Sequence, residues 1–422
     1  MSHPGNLFVK WGVSVLNRLE NWSQKLNITL FFLWGMMALL APRSVQLPLF
    51  VVAVIGCLTH RFKNTKRLAK PELGLLGLFC LWALASTQWS LDPSSAFKEF
   101  KKIFLVFAAS ALVILYFQSL TKRQVHYHFR AFLIGLGIAF GGVIIDRVCA
   151  YPLMEFMHKS PALTYSRFIA VACLGTWGWL LMIPPLRFRP LWAVVAVLSI
   201  ISFFWAYDFD AGPIGALLAT IIMLLTFILP KATSYLLRLG VVFGPLLVVV
   251  GCGLFMNETH WQKIAAPHTG NTHQQRLEMI DWASKKIIDR PLGYGLAQTR
   301  ALTQTDSIIS YTVVDGQLNS VQLWQKGIWH LHNGFLQIFL ELGIVGFLLI
   351  AAVVWILLRR LYQLNLDPYQ LGVMHGYVTV LLFMFSVSFG VWQTWWLSTI
   401  ITLTVLFAFK VSYEKQINWD SI

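Results

Sequence analysis

Apolar residues in this chain gather in runs of about twenty, each closed by charge, proline or glycine, a length matched to a bilayer's hydrocarbon core. Twelve such runs predict membrane-spanning helices, at 27–41, 45–60, 72–90, 103–119, 131–150, 168–184, 191–207, 214–230, 239–256, 335–358, 371–389 and 394–410. The first two are short and joined by a tight Pro42-Arg43-Ser44 connection. Most other connections are also short, but residues 257–334 form one long polar segment between the ninth and tenth runs. Long loops are usually functional or carry secondary structure of their own. Here Leu277, Ile280, Ala283 or Ser284, and Ile287 recur at helical spacing between His273 and Asp289, with Trp282 and Ile288 widening the stripe. Pro291 and Gly293 end the pattern. The spacing predicts an amphipathic helix, lying on a membrane surface or packed on the transmembrane bundle. The reading is an all-α polytopic membrane protein of about twelve spans: a bundle at 1–256, a loop at 257–334, and C-terminal helices with a short tail at 335–422.

Composition agrees, with 57% hydrophobic residues, 12% charged residues and a mean hydropathy of +0.64. The first 27 residues carry Lys10, Arg18 and Lys25 but no apolar core with a cleavage site, so no cleavable signal is expected. Charge then orients the chain. An even number of spans puts both termini on one face, together with the loops at 61–70, 120–130, 185–190, 231–238 and 359–370. About +14 of the net charge of +15 falls on that face, which makes it cytoplasmic and the long loop external. The basic excess is therefore explained by topology and anionic membrane lipid, and no nucleic-acid motif accompanies it. Cys57, Cys80, Cys149, Cys173 and Cys252 lie in or at the ends of apolar runs without CxxC spacing, as small core residues do.

Candidate chemistry concentrates at the end of the long loop. Trp329-His330-Leu331-His332-Asn333-Gly334 leads straight into an apolar run that contains Glu341, Gly343 and Gly346. Ionisable groups at a bilayer edge are functional candidates, although a His pair can also simply snorkel. His332 is the best general base available, since an imidazole takes a proton near neutral pH. His330 points elsewhere if the segment is extended, and in a helix the two would be roughly 200° apart, giving His330 a supporting or interfacial role. Arg276 lies in the first turn of the amphipathic helix, followed by Lys285, Lys286, Arg290 and Arg300. A guanidinium fork matches phosphate oxygens, while the lysines and Arg290 read as solvated charges. His260, His268, His273, His330 and His332 share the loop without an HExxH arrangement, so no metal is expected.

These residues resemble the O-antigen ligase and polymerase superfamily. His332-Asn333, nine residues, Gly343, two residues, Gly346 is similar to its signature, within Glu341-Leu-Gly-Ile-Val-Gly346. Gln275-Arg276 with Trp282, then Asp289-Arg-Pro291-Leu-Gly293-Tyr-Gly295, resembles the superfamily's Arg…Trp…Pro-x-x-Gly-x-Gly segment. Ser86 to Pro93, with Trp89-Ser-Leu-Asp92, resembles its short loop after the third span. There is one departure. Where relatives carry Ser-Arg-Gly-Ala, this chain reads Asp210-Ala-Gly212-Pro213-Ile214-Gly215-Ala216, with Ile214 in the arginine position.

The resemblance implies a membrane glycosyltransferase of the bacterial inner membrane, active on the periplasmic face. Its donor would be a glycan on undecaprenyl diphosphate and its acceptor a hydroxyl of lipid A–core oligosaccharide, with no cofactor or metal. His332 would be the base and Arg276 the diphosphate ligand, with Arg167 as the second arginine and Arg147 or Arg300 as alternatives. Asn333, His330, Glu341, Gly343, Gly346 and Trp282 would support them. Asp208 and Asp210 could orient an acceptor sugar or be solvated. O-antigen polymerases and protein O-oligosaccharyltransferases share the pattern. The rival outside the enzymes is a transporter or lipid-binding membrane protein, against which the span interiors are nearly free of ionisable residues.

Overall fold

A computed structural model describes residues 25–37, 46–59, 71–149, 161–183, 211–257, 272–306, 308–314, 317–322 and 330–414, with a few isolated positions besides. In chain order the helices are α1 Lys25–Met37, α2 Gln46–Thr59, α3 Pro71–Ser86, α4 Pro93–Ser119, α5 Lys122–Val148, α6 Pro161–Met182, α7 Ala211–Ile228, α8 Pro230–Phe255, α9 Thr272–Asp289, α10 Thr299–Thr305, α11 Gly334–Gln363, α12 Pro368–Val387 and α13 Thr394–Glu414. Between α10 and α11 lie strands β1 Ile309–Val314 and β2 Gln317–Gln322. Among the described residues α4, α5, α7, α8, α11, α12 and α13 are long and apolar enough to cross a membrane, with mean hydropathies of 1.5 to 2.6. This is a multi-pass helical membrane protein. The expected span 191–207 falls almost wholly outside the described residues.

Three differences from the hydrophobic pattern have local causes. The run at 72–90 stops being α-helical at Ser86 and continues as a single 3₁₀ turn, Thr87–Trp89. There Ser86 Oγ and Thr87 Oγ1 donate to the carbonyls of Ala83 and Leu84 at 2.8 and 2.7 Å, the local side-chain bonding that competes with a continuing helix. Asp92 then caps α4 by accepting from the Ser95 N–H at 3.0 Å. Second, the long loop is not purely helical. Its β1 and β2 form an antiparallel hairpin with Ile309 opposite Gln322 and Val314 opposite Gln317, beside α9. The third difference concerns which face of α9 is covered.

Helix α9 forms where the spacing predicts, and it packs on α8 and α11. Met279, Ala283 and Ile287 are buried, while Leu277 and Ile288, expected in the apolar stripe, are 41% and 39% exposed. The covered face also takes in Gln274, Glu278, Asp281 and Ser284. Three of these polar residues pair, whereas Ser284 Oγ has no hydrogen-bond partner among the described residues: Gln274 Nε2 donates to Glu278 Oε1 at 2.8 Å, and Asp281 Oδ2 accepts from Trp261 Nε1 at 3.2 Å and Lys285 Nζ at 2.9 Å.

The chain divides into two compact units. One comprises residues 1–67, 105–217 and 397–422, and its core includes Trp34, Tyr116, Phe117, Phe129, Phe132 and Trp177. The other, residues 68–104 and 218–396, contains α3, α8 to α12 and the hairpin. All the chemistry described next except Arg167 belongs to this second unit.

Candidate functional site

The site is built around a break in a helix. Gly343, in the middle of α11, has φ 68° and ψ −170°, a backbone region open essentially only to glycine. The break exposes backbone groups that a buried segment cannot leave unpaired. The segment after α9 takes them up. Tyr294 and Gly295 donate their N–H groups to the carbonyls of Leu340 and Glu341 at 3.1 and 2.8 Å, and the Ile344 N–H reaches the Pro291 carbonyl at 2.8 Å. Trp82 Nε1 donates to the Leu342 carbonyl at 2.8 Å. Gly293 (φ 82°) and Gly343 face each other so closely that a Cβ on Gly293 would stand 2.5 Å from the Glu341 carbonyl oxygen.

The Glu341 side chain closes the same junction. It is fully buried and accepts at both oxygens. Oε1 takes the Thr299 hydroxyl at 2.5 Å, the Thr299 N–H at 3.2 Å and Gln337 Nε2 at 3.2 Å. Oε2 takes the Ala297 N–H at 2.6 Å and Trp392 Nε1 at 2.5 Å. The Ser86–Pro93 segment joins from the other side: Ser86 Oγ accepts the Leu296 N–H at 3.2 Å, and the Gln298 side chain bonds the backbone of Asp92 in both directions, at 2.9 and 3.3 Å. Three motifs distant in sequence thus form one hydrogen-bonded unit.

His332 stands at the entrance to α11. Asn333 caps that helix, accepting the Leu336 N–H at 3.0 Å. His332 itself is left-handed, at φ 53°, a costly conformation for a residue with a side chain. That turn corrects the expectation for His330. The two rings lie side by side, with centroids 4.3 Å apart, and the His332 N–H donates to His330 Nδ1 at 3.4 Å. His332 Nδ1 is 2.7 Å from the Ser388 carbonyl. A carbonyl only accepts, so Nδ1 carries the proton and the Nε2 lone pair is open in the neutral ring.

Burial disfavours the protonated form of both rings. Burial holds His332 below the usual histidine pKa. The Ser388 carbonyl opposes this, and the nearby charge of Arg276 adds to the lowering. Burial, with His332 beside it, pushes His330 down to about 4. Arg276, half-buried on α9, is therefore within electrostatic reach of the proposed base.

Three other cations among the described residues of the segment are committed elsewhere. Lys285 pairs with Asp281, Lys286 with Asp306, and Arg290 lies 5.2 Å from the Tyr294 ring centroid. Arg300 is exposed on α10, next to the Thr299 that holds Glu341. Trp282 is half-buried on α9, and its Nε1–H is buried without a hydrogen-bond acceptor. Gly346 is buried one turn beyond the break. Arg167 lies on α6, in the first unit. The Arg147 side chain, Asp208 and Asp210 lie outside the described residues. Sequence reasoning missed Ser388, Gln337, Trp392, Thr299 and Gln298. Of these only Gln337, one helical turn before Glu341, had a readable signal.

Among the described residues the chain thus has a helix broken at glycine and laced to a preceding loop, with a histidine at its mouth whose Nδ1 faces a carbonyl. Comparison with known proteins adds a likeness. The chain matches the O-antigen ligase family over residues 210–351. It is also similar to three rickettsial proteins, each named "Putative polysaccharide ligase". The protein of Rickettsia typhi is 25% identical over 369 residues, covering 85% of this chain and 83% of its own length. That of Rickettsia prowazekii is 24% identical over 414 residues, covering 91% and 96%. That of Rickettsia bellii is 22% identical over 350 residues, covering 81% of each. The matched family region contains Arg276, Gly293, His332, Glu341 and Gly343, while Ser388 lies beyond it.

Proposed function

We propose that this chain is a polysaccharide ligase that transfers a glycan from undecaprenyl diphosphate to a hydroxyl of lipid A–core oligosaccharide, on the periplasmic side of the inner membrane. The observation that carries the reading is His332 at the mouth of α11, its Nδ1 held 2.7 Å from the Ser388 carbonyl, with burial and then the charge of Arg276 lowering its pKa. In this mechanism His332 Nε2 takes the proton of the attacking hydroxyl. The hydroxyl oxygen bonds to the anomeric carbon as the bond from that carbon to the diphosphate breaks, so configuration inverts. Arg276 offsets the charge that develops on the departing lipid diphosphate. The site lies in the long segment that the positive-inside rule assigns to the outer face of a twelve-span arrangement, with both termini cytoplasmic.

The test is the glycolipid profile of a strain lacking the gene. A ligase predicts polymer accumulated on the lipid carrier and bare lipid A–core. Core capped by a single repeat unit would identify a polymerase instead. An unchanged profile would favour a transporter or lipid-binding protein.

A further inference from the structure

The carbonyl that orients His332 does not stand alone. Ser388 ends α12, and the chain turns through residues 388–393 before α13 begins. Two side chains of α11 grip this turn from below. Gln337 Oε1 accepts the Val391 N–H at 3.2 Å, and Glu341 Oε2 accepts Trp392 Nε1 at 2.5 Å. Gln337 and Glu341 are one helical turn apart and are bonded to each other. Within the same turn Gly390 lies against His330, where an added Cβ would stand 2.7 Å from the His330 Cβ. A continuous path of hydrogen bonds and chain therefore runs from the Glu341 carboxylate, through Trp392 and Val391, to the Ser388 carbonyl and His332 Nδ1.

We propose that Gln337 and Glu341 are positioning residues for the base: by holding the Ser388–Gln393 turn, they fix the tautomer and direction of the His332 ring. Their side-chain hydrogen bonds among the described residues go to this turn, to each other and to Ala297 and Thr299, not to His332. Helix α11 thus does two things with one face. Its N-terminal end presents His332 through the Asn333 cap, and its next turn holds the carbonyl that aims the ring. Orienting a histidine through a partner on its second nitrogen is how general bases are commonly preset. A small misplacement of a catalytic group costs much of its effect. The inference rests on His332 being the base.

The groups facing His332 are His330, the Ser388 carbonyl and Arg276. Of these, the carbonyl holds its pKa up. The test therefore uses mild variants. Trp392→Phe removes the Nε1–H donor but keeps an aromatic ring, and Gln337→Met keeps the length without polar atoms. Glu341→Gln, which turns one acceptor oxygen into a donor and loses two or three of the five bonds, is the harsher companion. Each full-length protein is purified in detergent, and ligation of a lipid-diphosphate-linked glycan is followed from pH 4.5 to 9. The expected result for Trp392→Phe and Gln337→Met is a kcat about 10- to 100-fold lower, with KM for the donor within about twofold. The acid limb should move to lower pH, since a loosened carbonyl no longer supports the protonated ring. A wild-type kcat with an unmoved limb overturns the proposal, and so does a lowered kcat with an unmoved limb, because a mere loss of active protein scales the rate at every pH without shifting the titration. His332→Ala, measured in parallel, separates the two levels. If it remains active the base assignment itself fails. If it is inactive while the mild variants behave as wild type, only the positioning role fails.

Discussion

His332 combines three constraints at one residue: a left-handed backbone, a cap immediately after it, and a carbonyl on Nδ1. A solvent-facing histidine would need none of them, and backbone strain of this kind costs about 1–3 kcal/mol and collects at working sites. Its lowered pKa has a direct consequence. In the proposed mechanism the unprotonated ring is the active form, so activity should be full at neutral pH and fall only as pH drops through a value below the ordinary 6.5. Arg276 contributes to that lowering. In Arg276→Ala the residual activity should therefore show its acid limb at higher pH than wild type. Arg276→Lys should keep the limb near its normal place while weakening the donor interaction, because it retains the charge but loses the fork. Initial rates against pH for the three proteins check both expectations, and an unmoved limb in Arg276→Ala would remove Arg276 from the neighbourhood of the base.

At the scale of elements, α11 and the loop preceding it explain why glycines and a carboxylate recur where they do. Gly343 is irreplaceable for conformational reasons, since its φ of 68° and ψ of −170° suit no side chain and the Pro291–Leu292 backbone occupies the space a Cβ would take. Gly346 is tight for another reason, since a Cβ there would stand 2.3 Å from the Leu342 Cβ. Gly343→Ala and Gly346→Ala should accordingly both lower the thermal stability of the purified protein, the first with about 1–3 kcal/mol of backbone strain besides its clash. Glu341→Ala should also destabilise, because each buried donor left without its acceptor costs about 1–3 kcal/mol. Thermal unfolding of the three variants in one detergent tests this, and wild-type stability in any of them would contradict it. The sequence showed the likeness of these motifs to a family, and the amphipathic helix at 272–289 was legible from spacing alone. It did not show that Pro291–Gly295 and Glu341–Gly343 are halves of one junction. A contact between backbone groups leaves no mark in side-chain periodicity. The hairpin at 309–322 escaped for a related reason: Ile309-Ser-Tyr-Thr-Val-Val314 is a short strand in a region read for helical spacing.

For the whole molecule, hydrophobic run length found most of the helices because a helix that crosses lipid must be apolar along its length. Run length placed their ends poorly where serine and threonine intervene, as at Ser86 and Thr87. Orientation rests on charge alone. In a background lacking the five native cysteines, Leu292→Cys, in the exposed segment after α9, should react with a membrane-impermeant maleimide in intact cells, and Arg123→Cys, at the start of α5, should not. The reverse pattern would invert the topology. The central claim is that His332 accepts a proton during glycan transfer from a lipid diphosphate, and the most direct measurement is single-enzyme turnover in a reconstituted membrane. Wild type and His332→Ala would be compared with a purified undecaprenyl-diphosphate-linked glycan and lipid A–core as the only substrates. Wild type should form the glycosylated product with inverted anomeric configuration, and His332→Ala, equally folded and inserted, should be about 10²–10⁴-fold slower. Turnover by His332→Ala within a few-fold of wild type would contradict the account.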